Sequence, residues 1–376
     1  MKINIVNPQF ENLNKVSEKF NEVLNSKQVT NNSKYVRKFE NNLKQFLQSK
    51  NQPVCFNNGE MALFSLIQAW KYELGYKISE SFDVLVPSFT FVGTINAICM
   101  NNLRPVFIDI DENFLIDFSQ IKKISKNVKM IIPVGVYGNL PNMEQLKKFC
   151  RKNEIICIFD NAPAFGSKYK NKYPINYGFD EIWSFHATKI MSSMEGGAAV
   201  SSSKKITSLL QRVRDFGQFE KYRGNVDIPG LNGKMQEVSA IVGIENLKEF
   251  SKNIKLRKKV INKYLYFFKK LENKNCIKLM KVSNDVSCLY LYFPIIIKKD
   301  VKKFIQYMKE RNINIRRYYT AVHDLKYYKN RYEENDLYFT NKIKNNIIAL
   351  PIYSKMSDNK VNYLFSSIKN FFNKRI

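Results

Sequence analysis

Residues 155–160 read IICIFD, and residues 184–197 read SFHATKIMSSMEGG. The first is a nearly continuous apolar run closed by a carboxylate. It predicts a strand covered on both faces and ending at Asp160. The second predicts a strand end, a loop carrying Lys189, and a Gly196–Gly197 turn into the apolar run GAAV (197–200). Taken singly, an Asp at a strand end is an ordinary cap and a loop lysine an ordinary solvated charge. Their meaning depends on whether the surrounding chain brings them to one place.

The pattern around them alternates. Short apolar runs lie at 54–56 (VCF), 83–86 (DVLV), 105–109 (PVFID), 129–134 (KMIIPV), 155–159 (IICIF), 181–185 (EIWSF) and 197–200. Helix-like stretches separate them, such as 60–72 (EMALFSLIQAWKY) and 142–152 (NMEQLKKFCRK), where Met143, Leu146 and Phe149 share a face. This alternation predicts an α/β fold with a mainly parallel sheet, right-handed crossovers and helices on both faces. Ligands of such folds sit at the carboxyl ends of the strands, where Asp160 falls. An amphipathic helix is expected at 34–49. After Met235 a long helical pattern runs to about 271. Beyond it come a strand at 288–297, a helix at 300–311, a short strand near 313–318 and a terminal helix at 357–372. The expected division is a large cofactor-binding domain over residues 1–250, with an N-terminal helical segment, and a smaller C-terminal α+β domain over 251–376.

Composition narrows the functional classes. The chain has 376 residues, 44% of them hydrophobic, which suits a large core. The apolar stretch from Cys288 to Ile297 contains Pro294 and two tyrosines and is too short to cross a bilayer. The segment MKINIVNPQFEN has no apolar signal core. Six scattered cysteines without a close pairing motif suggest reduced thiols, a cytoplasmic location and no metal site. The formal charge of +28 has two readings: an anionic partner, or compositional drift toward Lys and Asn with a helpful field for a phosphate-bearing substrate. The chain shows no recognition helix, aromatic RNA-binding motif or zinc module, so no nucleic-acid partner is expected.

An Asp at a strand end with a Lys at a later strand–loop junction is what pyridoxal 5'-phosphate chemistry needs. The lysine amine forms a Schiff base with the cofactor aldehyde, and the carboxylate keeps the pyridine nitrogen protonated. Other residues fit beside them, each with an ordinary alternative. In NNGEMAL (57–63), Gly59 and Glu60 open a helix whose amides can converge on an anion, or simply form a turn. In PSFTFV (87–92), Phe91 offers a ring to a flat cofactor, or is core. Ser184 offers a hydroxyl to a phosphate oxygen. Glu195, Gly196 and Gly197 form a turn that allows close backbone approach. His186 is a candidate acid–base or substrate group, although Lys189 can itself move the proton. His323 lies in RRYYTAVH (316–323).

With these residues in view, the chain resembles the DegT/DnrJ/EryC1/StrS sugar aminotransferases, which are fold-type-I pyridoxal phosphate enzymes. The likeness is co-linear. It runs through VTNNSKYVRKFENNLKQFL (29–47), NNGEMAL, VLVPSFTFVGTINAI (84–98), RPVFIDID (104–111) and IIPVGVYGNLPNM (131–143). It continues through FDNAPAFGSKYKN (159–171), SFHATKIMSSMEGGAAV (184–200), GLNGKMQEVSAIVG (230–243), IRRYYTAVHDL (315–325) and ALPIYSKMSD (349–358). The resemblance implies Lys189 and Asp160 as catalytic residues, Phe91 as the stacking aromatic, and Gly59, Glu60 and Ser184 as the phosphate cradle. It implies that Asn232 reaches a neighbouring subunit's cofactor in a homodimer with shared sites. His323 matches the histidine of the substrate-side loop. The implied reaction moves an amino group from glutamate to carbon 4 of a dTDP- or UDP-linked 4-keto-6-deoxyhexose, for amino-sugar or surface-polysaccharide biosynthesis. Amination at carbon 3 and sugar dehydration are the rival chemistries; the dehydratases carry His in place of the lysine. A basic nucleic-acid-binding or regulatory protein is the non-enzymatic rival. Three departures border the substrate side. Pro163 stands where relatives have Gln or His, residues 319–321 read YTA in place of Tyr-Pro-Pro, and Gly233–Lys234 replaces Tyr-Arg.

Overall fold

Three strand ends meet along one edge of the central sheet, and their register explains the position of the site. The computed structural model describes residues 1–121, 124–218, 224–329, 331–332 and 336–373, and these described residues form twelve strands. They are β1 (Val54–Phe56), β2 (Asp83–Pro87), β3 (Arg104–Ile108), β4 (Val128–Ile131), β5 (Ile156–Asp160), β6 (Lys168–Tyr169), β7 (Asp180–Ser184), β8 (Gly197–Val200), β9 (Ile277–Leu279), β10 (Val286–Ser287), β11 (Phe293–Ile297) and β12 (Ile347–Leu350). The main sheet has the order β1-β8-β7-β5-β4-β2-β3. Strands β3, β2, β4, β5 and β7 pair in parallel, and β8 runs antiparallel to both neighbours. Gly197 therefore lies opposite Phe56 on one side and Ser184 on the other, and Asp160 lies opposite Ile182. The ends of β1, β5 and β7 and the start of β8 share one edge.

Helices cover both faces because strand residues alternate. Phe56, Ile158, Ile182 and Ala199 pack with Ala62 and Leu66 of helix Gly59–Glu73 and Leu210 of helix Lys204–Arg214. Cys55, Trp183 and Ala198 point the other way, into a cluster with Phe39 and Leu43 of helix Lys34–Leu47 and Ile244 of helix Glu237–Lys248. A buried ion pair ties these layers together. Arg214 Nη1 donates to Glu40 Oε1 at 2.6 Å and to the Cys55 carbonyl at 3.0 Å, and the Cys55 amide donates to Glu40 at 2.8 Å. Beyond residue 250, β12-β11-β9 form an antiparallel sheet packed by helices Val301–Glu310 and Asp358–Asn373. Near the start of the chain, Ile3 bridges to Ile313.

Several expectations are corrected here. The long helix after Met235 is two helices, Glu237–Lys248 and Phe250–Asn273, with Glu249 between them. The strand expected over 288–297 is confined to Phe293–Ile297. Tyr290 has a positive φ, and buried Arg257 takes the carbonyls of Leu289, Tyr290 and Leu291, so those groups are withdrawn from sheet pairing. No strand forms near 313–318. That segment makes only single bridges, one of them Arg316 to Ala349, and its side chains enter the site described next. Helix Leu13–Ser26 was not anticipated. Among the described residues, no helix is long and apolar enough to cross a membrane.

Candidate active site

A cavity of about 470 Å³ opens at the shared strand edge, and Lys189 and Asp160 both line it. Asp160, the last residue of β5, is buried. Thr94 Oγ1 donates to its Oδ2 at 2.7 Å and the Ala162 amide to its Oδ1 at 3.1 Å. Burial raises its carboxyl above the usual range; the two hydrogen bonds and the positive charge of Lys189 act in the opposite direction. Lys189 sits in the turn after β7, with its amide bonded to the His186 carbonyl at 2.9 Å. Part of its surface faces the cavity, but the surrounding protein strips water from the ammonium. This lowers its pKa to about 8, against the pull of Asp160. A lysine in that range supplies far more neutral amine near neutral pH than an ordinary one.

The other end of the cavity is built for an anion. The Asn58 side chain caps helix Gly59–Glu73 by accepting from the Met61 amide at 2.8 Å. The amides of Gly59 and Glu60 precede the first intrahelical bond and mark the positive end of the helix dipole. Ser184 presses directly against them: a Cβ added to Gly59 would lie 2.7 Å from Ser184 Cβ. Gly197 is required for the same reason, since a Cβ there would meet the Asn58 carbonyl oxygen at 2.4 Å. Phe91 is the residue before helix Val92–Met100. It is 51% exposed, and it lies on the cavity wall opposite Tyr318, with centroids 6.4 Å apart.

The structure thus brings Gly59, Glu60, Phe91, Asp160, Ser184, His186 and Lys189 into the lining of one cavity. Two expected residues are not among the residues that line it. Asn232 is exposed and bridges Asp215, beside the Asn57 amide that bonds the Gly233 carbonyl at 2.9 Å. His323, expected to face substrate, is buried. Its Nδ1 lies 2.5 Å from Ser88 Oγ and its Nε2 3.1 Å from Asn341 Oδ1, so both ring nitrogens are already engaged. Sequence reasoning missed Thr94, Tyr292, Arg316, Tyr318 and Tyr319, all on the wall. Thr94 lies four residues after Thr90, with which it shares a 3.1 Å hydrogen bond. The others come from distant segments, and no local spacing marks them. Arg316 has no acidic partner among the described residues. The Tyr319 hydroxyl is buried and lacks a hydrogen-bond partner. Pro163 also lines the wall and offers no donor.

These features fit pyridoxal phosphate. A glycine cradle meets a serine hydroxyl at a helix N-terminus, a buried carboxylate lines the same cavity, an aromatic ring is half exposed, and a lysine has its pKa lowered to about 8. The orphaned Tyr319 hydroxyl is a further polar atom waiting for an acceptor.

Comparisons with known proteins agree with this geometry. The sequence profile of the DegT/DnrJ/EryC1/StrS aminotransferase family matches residues 12–369. The chain is 31% identical over 351 residues to a dTDP-4-amino-4,6-dideoxy-D-glucose transaminase of Shigella dysenteriae, covering 92% of each chain. It is 28% identical to a GDP-perosamine synthase of Escherichia coli O157:H7, covering 95% of this chain and 96% of the relative. Its fold superimposes on Helicobacter pylori PseC, an aminotransferase involved in the biosynthesis of pseudoaminic acid. The TM-score is 0.89 at 22% identity, with all of both chains covered.

Proposed function

Because this chain belongs to the DegT/DnrJ/EryC1/StrS aminotransferase family, we propose that it transfers an amino group from glutamate to carbon 4 of a 4-keto-6-deoxyhexose carried on dTDP or UDP. It is a pyridoxal phosphate-dependent enzyme acting on nucleotide sugars. The observation that carries the reading is the placement of Lys189 and Asp160 on one cavity wall, with the Gly59–Ser184 cradle at its end. Bound there, pyridoxal phosphate supplies an electron sink for the charge left when a C–H bond beside an amine is broken.

The residues divide that work. Ser184 Oγ and the Gly59 and Glu60 amides would hold the phosphate. Phe91 would lie against the ring. Asp160, fixed by Thr94 and Ala162, would take the ring N–H. Lys189 Nζ would bind the aldehyde carbon, and the same amine is the base placed to take the proton from the substrate's C–H bond. Arg316 meets anionic substrate oxygens. Lys189 also favours transamination over dehydration, since its amine both anchors and relays. The six cysteines are free, which supports a cytoplasmic enzyme.

The test is a screen of dTDP- and UDP-linked 4-keto and 3-keto sugars with glutamate, reading the aminated carbon by NMR. An amine at carbon 4 is expected. Amination only at carbon 3, or release of a deoxygenated sugar, would overturn the assignment.

The proposed assembly is a homodimer in which Asn232 completes the partner's cofactor site; its exposure leaves the side chain open to a second copy. Inactive Lys189→Ala and Asn232→Ala proteins, mixed and allowed to exchange subunits, should recover part of the activity. One site of each heterodimer keeps both groups. Full activity of Asn232→Ala alone, or no recovery after demonstrated exchange, would reject the shared site.

A further inference from the structure

His186 and Glu195 stand side by side on the cavity wall, and no step assigned above uses Glu195. The geometry of the pair is specific. The Thr188 amide donates to His186 Nδ1 at 3.2 Å, and Thr188 Oγ1 lies 2.8 Å from the same nitrogen. With Nδ1 committed as an acceptor, the ring proton belongs to Nε2. That nitrogen lies 3.3 Å from Glu195 Oε1. Both side chains keep substantial exposure, 44% for the histidine and 61% for the glutamate.

The backbone beneath Glu195 is rigid. The Ser193 amide bonds the Phe185 carbonyl at 2.8 Å, and the Phe185 amide bonds the Gly196 carbonyl at 2.8 Å. Ser193 Oγ donates to the Glu195 carbonyl at 2.8 Å. The turn is therefore stitched to the end of β7, and it places the carboxylate beside the imidazole N–H donor. An acid held in this way keeps lone pairs open to the cavity. It suits neutral hydroxyls, which can donate to the carboxylate and accept from the imidazole.

We propose that Glu195 and His186 are the specificity residues that read the hexose hydroxyls of the nucleotide-sugar substrate. This rests on the reading of the cavity as a nucleotide-sugar site. A site that hydrogen-bonds a hydroxyl discriminates strongly against ligands lacking it, because its own polar groups are then left unpaired. The pair therefore acts in the sugar half of the reaction and not in the amino-donor half.

The test titrates the cofactor-loaded protein with dTDP-glucose, UDP-glucose and the corresponding bare diphosphates by calorimetry, and follows each half-reaction separately by rapid-mixing absorbance. Glu195→Ala should weaken binding of the hexose nucleotides by about tenfold, with the bare diphosphates unchanged. The amine-to-sugar half-reaction should lose about 30-fold in kcat/KM, with the glutamate half-reaction within about twofold of wild type. Glu195→Gln, which keeps the shape of the exposed side chain, should show the same split with a smaller loss. Equal losses in both halves would mean that the pair only positions the Lys189 loop, and would overturn the proposal. No change in either variant would overturn it too. If the wild-type protein binds hexose nucleotides no better than the bare diphosphates, the hydroxyl assignment fails. If it binds neither, the nucleotide-sugar reading fails with it.

Discussion

Lys189→Ala is expected to lose turnover by a factor on the order of a million, the scale seen when a covalent nucleophile is deleted. It should also lose the covalent cofactor adduct that borohydride traps in the wild-type protein. The physical reason is the environment of the amine. Burial lowers its pKa to about 8, so at pH 7 roughly a tenth of it is neutral, against well under a thousandth for an ordinary lysine. The sign of the pH dependence follows. Cofactor uptake by the emptied wild-type protein should quicken as pH rises toward 8 and level off above it, because the neutral amine is the attacking form. Lys189→Arg should fail as completely as alanine, since a guanidinium does not lose its proton in this range. Peptide mapping of the reduced protein decides the matter: an adduct on any other lysine, or measurable turnover by Lys189→Ala, would remove Lys189 from the mechanism.

The sheet was legible because its strands are covered on both faces. Runs such as IICIF and VCF are apolar throughout, and helices Met143–Asn153 and Lys204–Arg214 carry one apolar stripe each. Asp160 and Lys189 were legible for a related reason, since strand ends in a parallel sheet converge on one edge. Local pattern failed where tertiary contacts took over. Residues 288–292 look like strand, but Arg257 captures their carbonyls. Helix Leu13–Ser26 carries a helical pattern in its sequence, with Leu13, Val16, Phe20, Val23 and Leu24 spaced along one face, although only Val23 is buried. His323 is buried and its ring nitrogens are engaged by Ser88 and Asn341, each far from it in sequence or on another element. Arg316, Tyr292 and Tyr318 reach the cavity from the last third of the chain. Their contribution follows from how the segment after residue 250 packs against the sheet, and periodicity carries no record of that.

Asp160→Asn is expected to cost about a thousandfold in turnover, near 4 kcal/mol of barrier, the scale of removing a preorganised electrostatic partner. Both half-reactions should fall together, because both pass through negative charge that the protonated ring nitrogen must absorb. The hydrogen bonds around Asp160 indicate that the variant will fold. An asparagine oxygen can keep the 3.1 Å bond from the Ala162 amide. The new NH2 group then faces Thr94 Oγ1, which now donates to Asp160 at 2.7 Å. Thr94 can turn its proton toward Thr90 Oγ1, 3.1 Å away, and accept from the amide instead. The buried site stays satisfied while its charge is lost. As a carboxylate, Asp160 would accept the ring N–H and offset its positive charge, and a neutral amide cannot reproduce that. Thr94→Val, which removes one hydrogen bond and leaves the carboxylate, should cost only about tenfold. Thermal unfolding and circular dichroism will show whether Asp160→Asn is folded. Near-normal turnover by that folded protein would mean that the ring nitrogen has another partner and that Asp160 serves only to cap its strand.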